Sequence, residues 1–551
     1  MKNSLKILLL ASFIFFLGSC ENTLIEDPKN LTTADNYYTT VDGLDNGLKA
    51  AYSHLRDFYG QESAFFMTLA GTDLWTLGFG GFTNLPDLGF YTPNLLGTNN
   101  LITSVWDGFY RGINQCNAVV SRSKDLIGQS DSNDQNRLTA IIGEARFLRA
   151  LYYFHLVQQF GDVHFSLEET IGVETEAFRT PVATIYEEGI VPDLQFSIDN
   201  LPETTDDYGR VTKPAAQALM ARVQLTVGNW AEALENAENV IGNNNYSLVK
   251  PYGELWNINN QINSEVILAA QYSTDVRISS RQNISHVLFI AHYFYNPALE
   301  YSLEYGRGHN RFMPTNKLLK LFDSSIDGRW DGSFKTVWLA NTTGVINGHT
   351  VNPGDTAMKI VTYPIPDPIQ ETAPYWYIDF NDNWVGGMTY ESLEIGGGLR
   401  RWWPSLVKYY DPWRTDPLAT HGTRDAPIIR LGEMYLIAAE AAYNLGNNDL
   451  AAEYINIIRR RAALEGKEAE MEISPADISL DFILDERGRE LAGEMDRWYD
   501  LKRTGKFLEY ISLYNPDAAE NFKPMHLVRP IPQTQIDRVS NPGDFSQNPG
   551  Y

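Results

Sequence analysis

Residues 213–242 read KPAAQALMARVQLTVGNWAEALENAENVIG, and this stretch decides the fold class. Apolar and small residues recur with a helical period on both sides of a turn that contains Gly228. Glycine readily ends a helix, so the pattern predicts two antiparallel helices. Ala233 and Ala237 leave room for the second helix to pack closely on the first. The stretch therefore predicts a helical hairpin.

A second stretch repeats this arrangement at residues 429–463, which read IRLGEMYLIAAEAAYNLGNNDLAAEYINIIRRRAA. Its Gly446 and Ala452 repeat the arrangement of a glycine turn followed by a small residue. Each hairpin resembles a tetratricopeptide repeat, in which small residues allow tight antiparallel packing. Because about 200 residues separate the two copies, they are not expected to form a contiguous solenoid in sequence.

Further amphipathic helices are predicted at 41–55, 106–120, 137–160 and 481–504. Residues 137–160 carry apolar side chains on more than one face, which is typical of a helix packed between neighbours. Residues 61–100 are rich in Gly, Asn, Pro and aromatic residues and predict a long loop. Residues 250–425 predict a loop-rich insertion with few helical periods, and the Pro-rich tail predicts irregular structure.

The N-terminus, MKNSLKILLLASFIFFLGSC, has a short basic head followed by an apolar run at residues 8–17. This run is too short to span a bilayer and predicts the hydrophobic region of a secretory signal. Residues 17–20, Leu-Gly-Ser-Cys, resemble a bacterial lipoprotein box. The prediction is cleavage after residue 19 and lipid modification of Cys20, which would anchor the protein to a membrane. A plain secretory peptide is the alternative.

Composition excludes several classes of protein. The formal net charge is −25, from 69 acidic and 44 basic residues, which disfavours nucleic-acid binding. The chain has two cysteines. Once Cys20 carries lipid, Cys116 alone can form neither an intramolecular disulfide nor a cysteine-based metal site.

Five blocks of sequence then appear in a characteristic order along the chain. They are Trp106…Tyr110-x-x-Ile113…Asn117, EARFLRALYYFHLVQQFGD at 144–162, IIRLGEMYLIAAEA at 428–441, DERGRELAGEMDRWYDLKRTGK at 485–506 and RPIPQTQIDRVSNPGDFSQNPGY at 529–551. Jointly they resemble the SusD/RagB family of outer-membrane nutrient-binding lipoproteins. The fourth block departs from the usual family pattern, with Gly-Glu-Met-Asp at residues 493–496.

The resemblance implies a mainly α fold, a tetratricopeptide-like helical scaffold with a large irregular loop-rich insertion. It implies these parts: a signal peptide at 1–19, a lipid-anchored linker at 20–36, an N-terminal helical part at 37–250, the insertion at 251–427 and a C-terminal part at 428–551. Polar residues of the blocks are expected to form buried networks between helices, namely Glu144, Arg146, Arg149, Glu490 and Arg497.

The resemblance also implies a function. Family members bind oligosaccharides, or in some cases peptides, without cleaving them, and sit as a lid over a SusC-like TonB-dependent transporter. The chain is therefore expected to be a non-catalytic, surface-exposed glycan-binding lipoprotein of the outer membrane. A peptide-binding, RagB-like role is the alternative, and a secreted glycan hydrolase is a further one. The acidic net charge favours neutral glycans over uronate polymers, because long-range repulsion slows anionic ligands. The alternative is a hydroxyl-rich or acidic glycan held by the locally basic segment that contains Arg400, Arg401, Lys408 and Arg414.

Sugar rings present apolar C–H faces and hydroxyl groups, so aromatic platforms with polar neighbours are the expected binding elements. In the family, the loop around Trp75 often supplies a stacking tryptophan. Aromatic packing within the fold is the alternative for each residue. Trp402 and its neighbour Trp403 cannot both be easily buried in an extended segment. The candidate ligand-binding residues are Asp73, Trp75, Tyr91, Tyr305, Arg307, Trp376, Trp384, Arg400 and Trp402.

No catalytic motif surrounds the carboxylates, and the zincin, nucleophile-elbow and P-loop patterns are absent from the sequence. DFNDN at 379–383 is rich in oxygen ligands for Ca²⁺ but lacks the full EF-hand pattern. No catalytic residue, cofactor or metal site is therefore predicted.

Overall fold

Long helices packed in pairs form the scaffold on which the rest of the chain is built. The computed structural model describes residues 34–128, 131–273, 275, 281–380 and 400–551. In these residues the helices of seven or more residues are α1 Val41–Ser53, α2 Glu62–Thr68, α3 Asn100–Ser123, α4 Ser132–Phe160, α5 Val191–Asn200, α6 Lys213–Val227, α7 Trp230–Ile241, α8 Leu431–Asn444, α9 Asn448–Ala462, α10 Leu480–Glu490, α11 Arg497–Arg503 and α12 Phe507–Tyr514.

Short strands lie mainly in the loop-rich part. The described strands are β1 Trp75–Leu77, β2 Val266–Ala270, β3 Phe312–Pro314, β4 Phe334–Lys335, β5 Val337–Leu339, β6 Gly344–Ile346, β7 His349–Val351, β8 Thr356–Val361, β9 Trp376–Asp379, β10 Ser405–Leu406 and β11 Ala426–Arg430. They form antiparallel pairs β1–β3, β4–β10, β2–β11 and β6–β7, and a sheet in the order β5-β8-β9. Within that sheet, β8 and β9 are parallel.

Shorter helical segments connect these elements. They lie at Ala34–Tyr37, His54–Asp57, Phe79–Asn84, Pro86–Phe90, Val182–Ile185, Tyr186–Ile190, Tyr252–Trp256, Ile258–Asn260, Ser285–Leu288, Tyr293–Tyr295, Asn316–Lys320, Arg329–Ser333, Asp367–Thr372, Glu468–Met471, Pro475–Asp477, Pro516–Ala519, Pro524–Leu527 and Gln533–Ile536.

Helix α4 is the central helix of the N-terminal part. Asp131 caps it, and its side chain accepts hydrogen bonds from the backbone N–H groups of Asn133 and Asp134, both at 3.0 Å. Nearly every side chain from residue 141 to residue 160 is buried, because α3 and α5 both pack against this helix. The prediction of a helix packed between neighbours is confirmed.

The two predicted hairpins are α6–α7 and α8–α9, and they stack on each other. Gly228 and Gly446 adopt left-handed φ values of +83° and +79°, which permit the tight turns after α6 and α8. Helix α7 packs against α8, so the hairpins are neighbours in space despite their separation in sequence. Arg222 of α6 also pairs with Glu433 of α8 at 2.6 Å. The tetratricopeptide-like helical scaffold is confirmed.

A buried ion network joins the insertion to the C-terminal helices. The carboxylate of Glu490 on α10 accepts hydrogen bonds from three guanidinium groups. Arg430 donates at 2.7 Å, Arg329 donates at 3.1 Å, and Arg461 of α9 is the third donor. Arg430 and Arg461 also bind Glu265, which precedes β2. Since Glu490 and Glu265 are fully buried, the network replaces water as the partner of these charges.

The other polar block residues also form buried or half-buried contacts, as predicted. Arg146 and Arg149 both bind Asp193, each at 2.7 Å, and thereby tie α4 to α5. Glu144 pairs with Arg210 at 2.9 Å.

Residues 61–100 differ from the predicted loop. They contain α2, β1 and two short helices, and most of their side chains are buried. Phe65 and Phe66 are 1% and 0% exposed and pack on Phe312 of β3, at ring distances of 6.2 and 4.8 Å. The high content of glycine and aromatic residues here reflects close packing.

The helix predicted over 481–504 is two helices, α10 and α11. Gly493 lies between them with φ of +78°. A Cβ added there would lie 2.2 Å from a methyl carbon of Leu406, so this close approach requires glycine.

The Glu490→Gln substitution is expected to destabilise the protein strongly, by about 3–5 kcal/mol, because it removes the negative charge that three buried guanidinium groups share. The midpoint of urea unfolding measures the effect. Glu472→Gln is the matched control, since Glu472 forms an exposed pair with Arg460 at 2.8 Å and should change the midpoint little. Equal midpoints for the two variants would contradict the importance of the network.

Glu486 belongs to the same network, because it pairs with Arg329 at 2.7 Å. This pairing predicts a loss of stability in acid. Burial raises the pKa of Glu486, but the charges of Arg329, Arg489 and Arg459 outweigh it and lower this pKa to about 2 from 4.5. A lowered carboxyl pKa stabilises the fold above pH 4.5 and loses that contribution as the pH falls towards 2. The melting temperature should therefore decline below pH 4.5. Glu486→Gln should show a shallower decline, and an equally steep decline would contradict this assignment.

Candidate functional site

Three chain segments meet at one face of the loop-rich part: the segment at Phe79, the segment at His292 and the segment at residues 400–402. The backbone N–H of His292 donates to the carbonyl of Arg401 at 2.8 Å, and that of Phe79 donates to the carbonyl of Arg400 at 2.9 Å. A Cβ added at Gly80 would lie 2.0 Å from the carbonyl oxygen of His309. Glycine is therefore required where residue 80 passes the backbone of His309.

Arg400 fixes the direction of the third segment. Its φ is +62°, a left-handed value that is uncommon for a residue with a side chain. The side chain is 2% exposed, pairs with Asp517 at 2.7 Å and donates to the carbonyl of Leu77 at 3.0 Å. This buried ion pair holds the unusual backbone conformation from which the next two side chains project.

The two adjacent tryptophans have different environments. Trp403 is fully buried, and its indole N–H donates to the carbonyl of Phe289 at 3.0 Å. Trp402 is half-buried, and its indole N–H donates to the carbonyl of His292 at 3.1 Å. The prediction that both cannot be buried together is confirmed.

Trp402 belongs to a group of partly exposed rings. Trp376 of β9 packs edge-on against it at 5.4 Å. His292 lies 5.6 Å from Tyr295, a ring that is 49% exposed. We call this group the aromatic cluster, and its members are Phe79, His292, Phe294, Tyr295, Tyr301, Trp376 and Trp402.

Arg401 supplies a positive charge to the aromatic cluster. Its guanidinium carbon lies 4.3 Å from the ring centre of Phe79 and 4.9 Å from that of Tyr295. Burial and the nearby charges of Arg401 and His309 lower the pKa of His292 to about 4. Its ring is therefore neutral at pH 7 and is available as both donor and acceptor.

Five of the sequence-predicted site residues lie in the interior, namely Asp73, Trp75, Tyr91, Tyr305 and Arg400. Trp75 is 1% exposed and packs edge-on against Phe289 at 5.1 Å. Asp73 is fully buried and pairs with Arg497 at 2.6 Å. The aromatic character of these segments thus arises from packing, and a ligand in solvent cannot reach them in this conformation.

The remaining predicted residues divide into two groups. Trp376 and Trp402 belong to the aromatic cluster, and Arg307 is partly exposed and donates to the carbonyl of Leu418 at 3.2 Å. Trp384 and Cys20 lie outside the described residues, as do residues 381–383 of the oxygen-rich stretch.

Five cluster residues are not among the predicted candidate residues, namely Phe79, His292, Phe294, Tyr295 and Tyr301. The run HYFYNPALEYS at 292–302 signals a concentration of rings. The sequence does not indicate that this run packs against residues 400–402, because the contact is set by backbone hydrogen bonds between distant segments.

A separate cleft of about 550 Å³ lies between α3 and the C-terminal tail. Tyr110 and Arg111 line it on one side, and Arg538 and Phe545 line it on the other. This volume is within the usual range of small-molecule sites. No sequence prediction pointed to it.

Within the described ranges, every helix is too short or too polar to cross a bilayer. No group of three or more His, Cys, Asp or Glu side chains in those ranges has the geometry of a metal site. Cys116 is buried, and burial raises the pKa of its thiol.

Stacked helix pairs that carry a loop-rich face are the fold of SusD-like proteins of known structure. The chain belongs to the SusD family, whose model matches residues 264–551. A related model, described as "Starch-binding associating with outer membrane", matches residues 84–225. The resemblance inferred from the five sequence blocks is confirmed.

The chain is similar over nearly its whole length to other members of the family. A SusD-like protein from Formosa agariphila is 26% identical, with 98% of each chain covered. The starch-binding protein SusD from Bacteroides thetaiotaomicron is 24% identical over 74% of this chain and 72% of its own. The solved structure of a laminarin-binding SusD-like protein has a TM-score of 0.66 at 24% identity, covering 93% of this chain and 99% of the other.

Proposed function

We propose that the chain is a non-catalytic glycan-binding lipoprotein of the outer membrane. In this proposal it captures oligosaccharides and delivers them to a SusC-like TonB-dependent transporter. Family membership supports a binding role, and two of the similar proteins are named for starch and laminarin binding. The aromatic cluster is the observation that carries the proposal for this chain.

The aromatic cluster has the chemistry that a sugar ring requires. Trp376 and Trp402 meet edge-on at an interplanar angle of 80°, so their two ring planes form a corner. Such a corner offers apolar surface to the C–H face of a sugar, while nearby polar groups can bind its hydroxyls. Arg401 and the phenol of Tyr295 supply those groups. The cluster stands on a rigid helical scaffold, which favours a preformed site.

The proposal is non-catalytic because the family model and the similar proteins are named for binding. A glycosidase would instead require two carboxyl groups placed about 5–10 Å apart across the sugar. Peptide binding, the alternative from the sequence, uses similar rings, and competition between peptides and glycans distinguishes the two.

The aromatic cluster yields a direct test. Trp402→Ala and Trp376→Ala should each weaken glycan binding by about tenfold, since a stacked ring at the centre of a site contributes on the order of 1–2 kcal/mol. Native affinity electrophoresis in gels that contain a panel of polysaccharides measures the effect.

Trp413→Ala is the matched control, because Trp413 is 51% exposed and lies outside the aromatic cluster. Trp75→Ala should lower the melting temperature instead, since its ring is buried. Full retention of binding in both cluster variants would move the site elsewhere, with the cleft beside α3 as the next candidate. Retardation by no polysaccharide would favour peptide ligands.

The anchor can be tested separately. Full-length protein expressed in a Gram-negative host should partition into the detergent phase, and Cys20→Ala should move it to the aqueous phase, because acyl chains on Cys20 provide the anchor. Cys116→Ala is the control, since this buried thiol has no role in anchoring. Detergent partitioning of the Cys20→Ala protein would refute the lipoprotein assignment.

A further inference from the structure

The aromatic cluster is locally cationic although the whole chain carries a net charge of −25. Most buried arginines of the protein have carboxylate partners, such as Glu490 and Asp517. Arg401 has none within the part of the chain that the structure describes, and neither has Arg307. Charges of this kind, held at a surface without a counter-ion, suit an anionic ligand.

Arg401 is positioned by rings and not by an acid. The rings of Phe79 and Tyr295 hold its guanidinium at 4.3 and 4.9 Å, and its Nε atom has no hydrogen-bond partner among the described residues. The side chain is only partly buried. Its planar group is therefore preorganised and retains donors for a carboxylate or sulfate.

His292 provides a second buried polar atom that lacks a hydrogen-bond partner among the described residues, its Nδ1. Burial is the main cause that lowers the pKa of His292, and the two titratable groups that face it, Arg401 and His309, lower it further. Burial also lowers the pKa of His309 most, followed by Arg311, Arg307 and His421.

The positive character extends from Arg401 towards Arg307. Arg307 lies close enough to Tyr301 to oppose the rise in the pKa of this phenol that burial causes. The neighbouring Arg311 is neutralised by Glu62, with which it pairs at 2.5 Å. Among the described residues, Arg401 and Arg307 thus remain without a carboxylate partner, with Arg401 beside Tyr295 and Arg307 near Tyr301.

We infer that this site takes glycans that carry carboxylate or sulfate groups, and that Arg401 contacts the anionic group. The inference rests on the proposed glycan-binding function and names its substrate class. It departs from the neutral glycans that the net charge favours. At physiological salt, charges more than about 8 Å apart are largely screened, so the local cations decide affinity more than the distant acidic surface does.

Affinity electrophoresis with four polysaccharides tests the inference. Polygalacturonate carries carboxylates and carrageenan carries sulfates, while laminarin and soluble starch are neutral. We expect retardation by polygalacturonate or carrageenan, weakened by about tenfold or more in Arg401→Gln and only partly in Arg401→Lys. The same retardation should decrease when the salt concentration is raised from 0.05 to about 0.5 M.

The Arg401→Gln substitution leaves the backbone contacts of residue 401 in place, because His292 bonds to its carbonyl oxygen and not to its side chain. Arg460→Gln is the charge-matched control, since Arg460 is exposed on α9 and pairs with Glu472. A melting curve for each variant verifies that it folds.

Each outcome decides between the two proposals. Retardation by neutral glycans only, lost in Trp402→Ala, would overturn the anionic-ligand inference and leave glycan binding standing. Retardation by an anionic glycan that is equal in Arg401→Gln and in the parent protein would also overturn it. Retardation by none of the four polysaccharides would count against both proposals.

Discussion

The carboxylate of Glu490 is shared by three guanidinium groups, and the placement of the loop-rich part on the helices depends on it. Arg430 is the last residue of β11, Arg329 lies within the loop-rich part and Arg461 belongs to α9. A buried charge that loses its partner costs several kcal/mol, so none of these elements can shift alone. The Arg400–Asp517 pair extends the same constraint to the segment that presents the aromatic cluster.

The helical scaffold could be predicted from the sequence because its signals are local. The apolar periods of 137–160 and 213–242 are visible within each stretch, and they correspond to α4 and to the α6–α7 hairpin. The interior position of Asp73 could not be predicted in the same way. Its partner, Arg497, lies 424 residues further along the chain. A loop rich in glycine and rings has the same composition whether it packs inside or faces solvent.

The candidate site was predictable only in part, because contacts between residues far apart in sequence leave no local signal. The prediction that Trp402 and Trp403 cannot both be easily buried in an extended segment agrees with one half-buried ring and one buried ring. Tyr295 and Arg401 needed the structure, since backbone hydrogen bonds between distant segments bring them together. Net charge sums over the whole chain and does not report the charge of this face, where Arg401 lies against two rings without a carboxylate partner among the described residues.

The pairing of β2 with β11 has an evolutionary consequence. Ala270 and Ala426 are direct partners in this antiparallel ladder, so the insertion leaves and re-enters the scaffold at one place. The entropic cost of closing such an excursion grows only with the logarithm of its length, by about 0.6 kcal/mol for each doubling. A change in the length of this loop-rich part therefore costs the scaffold little stability. The loop-rich part and the helical scaffold can accordingly change independently of each other.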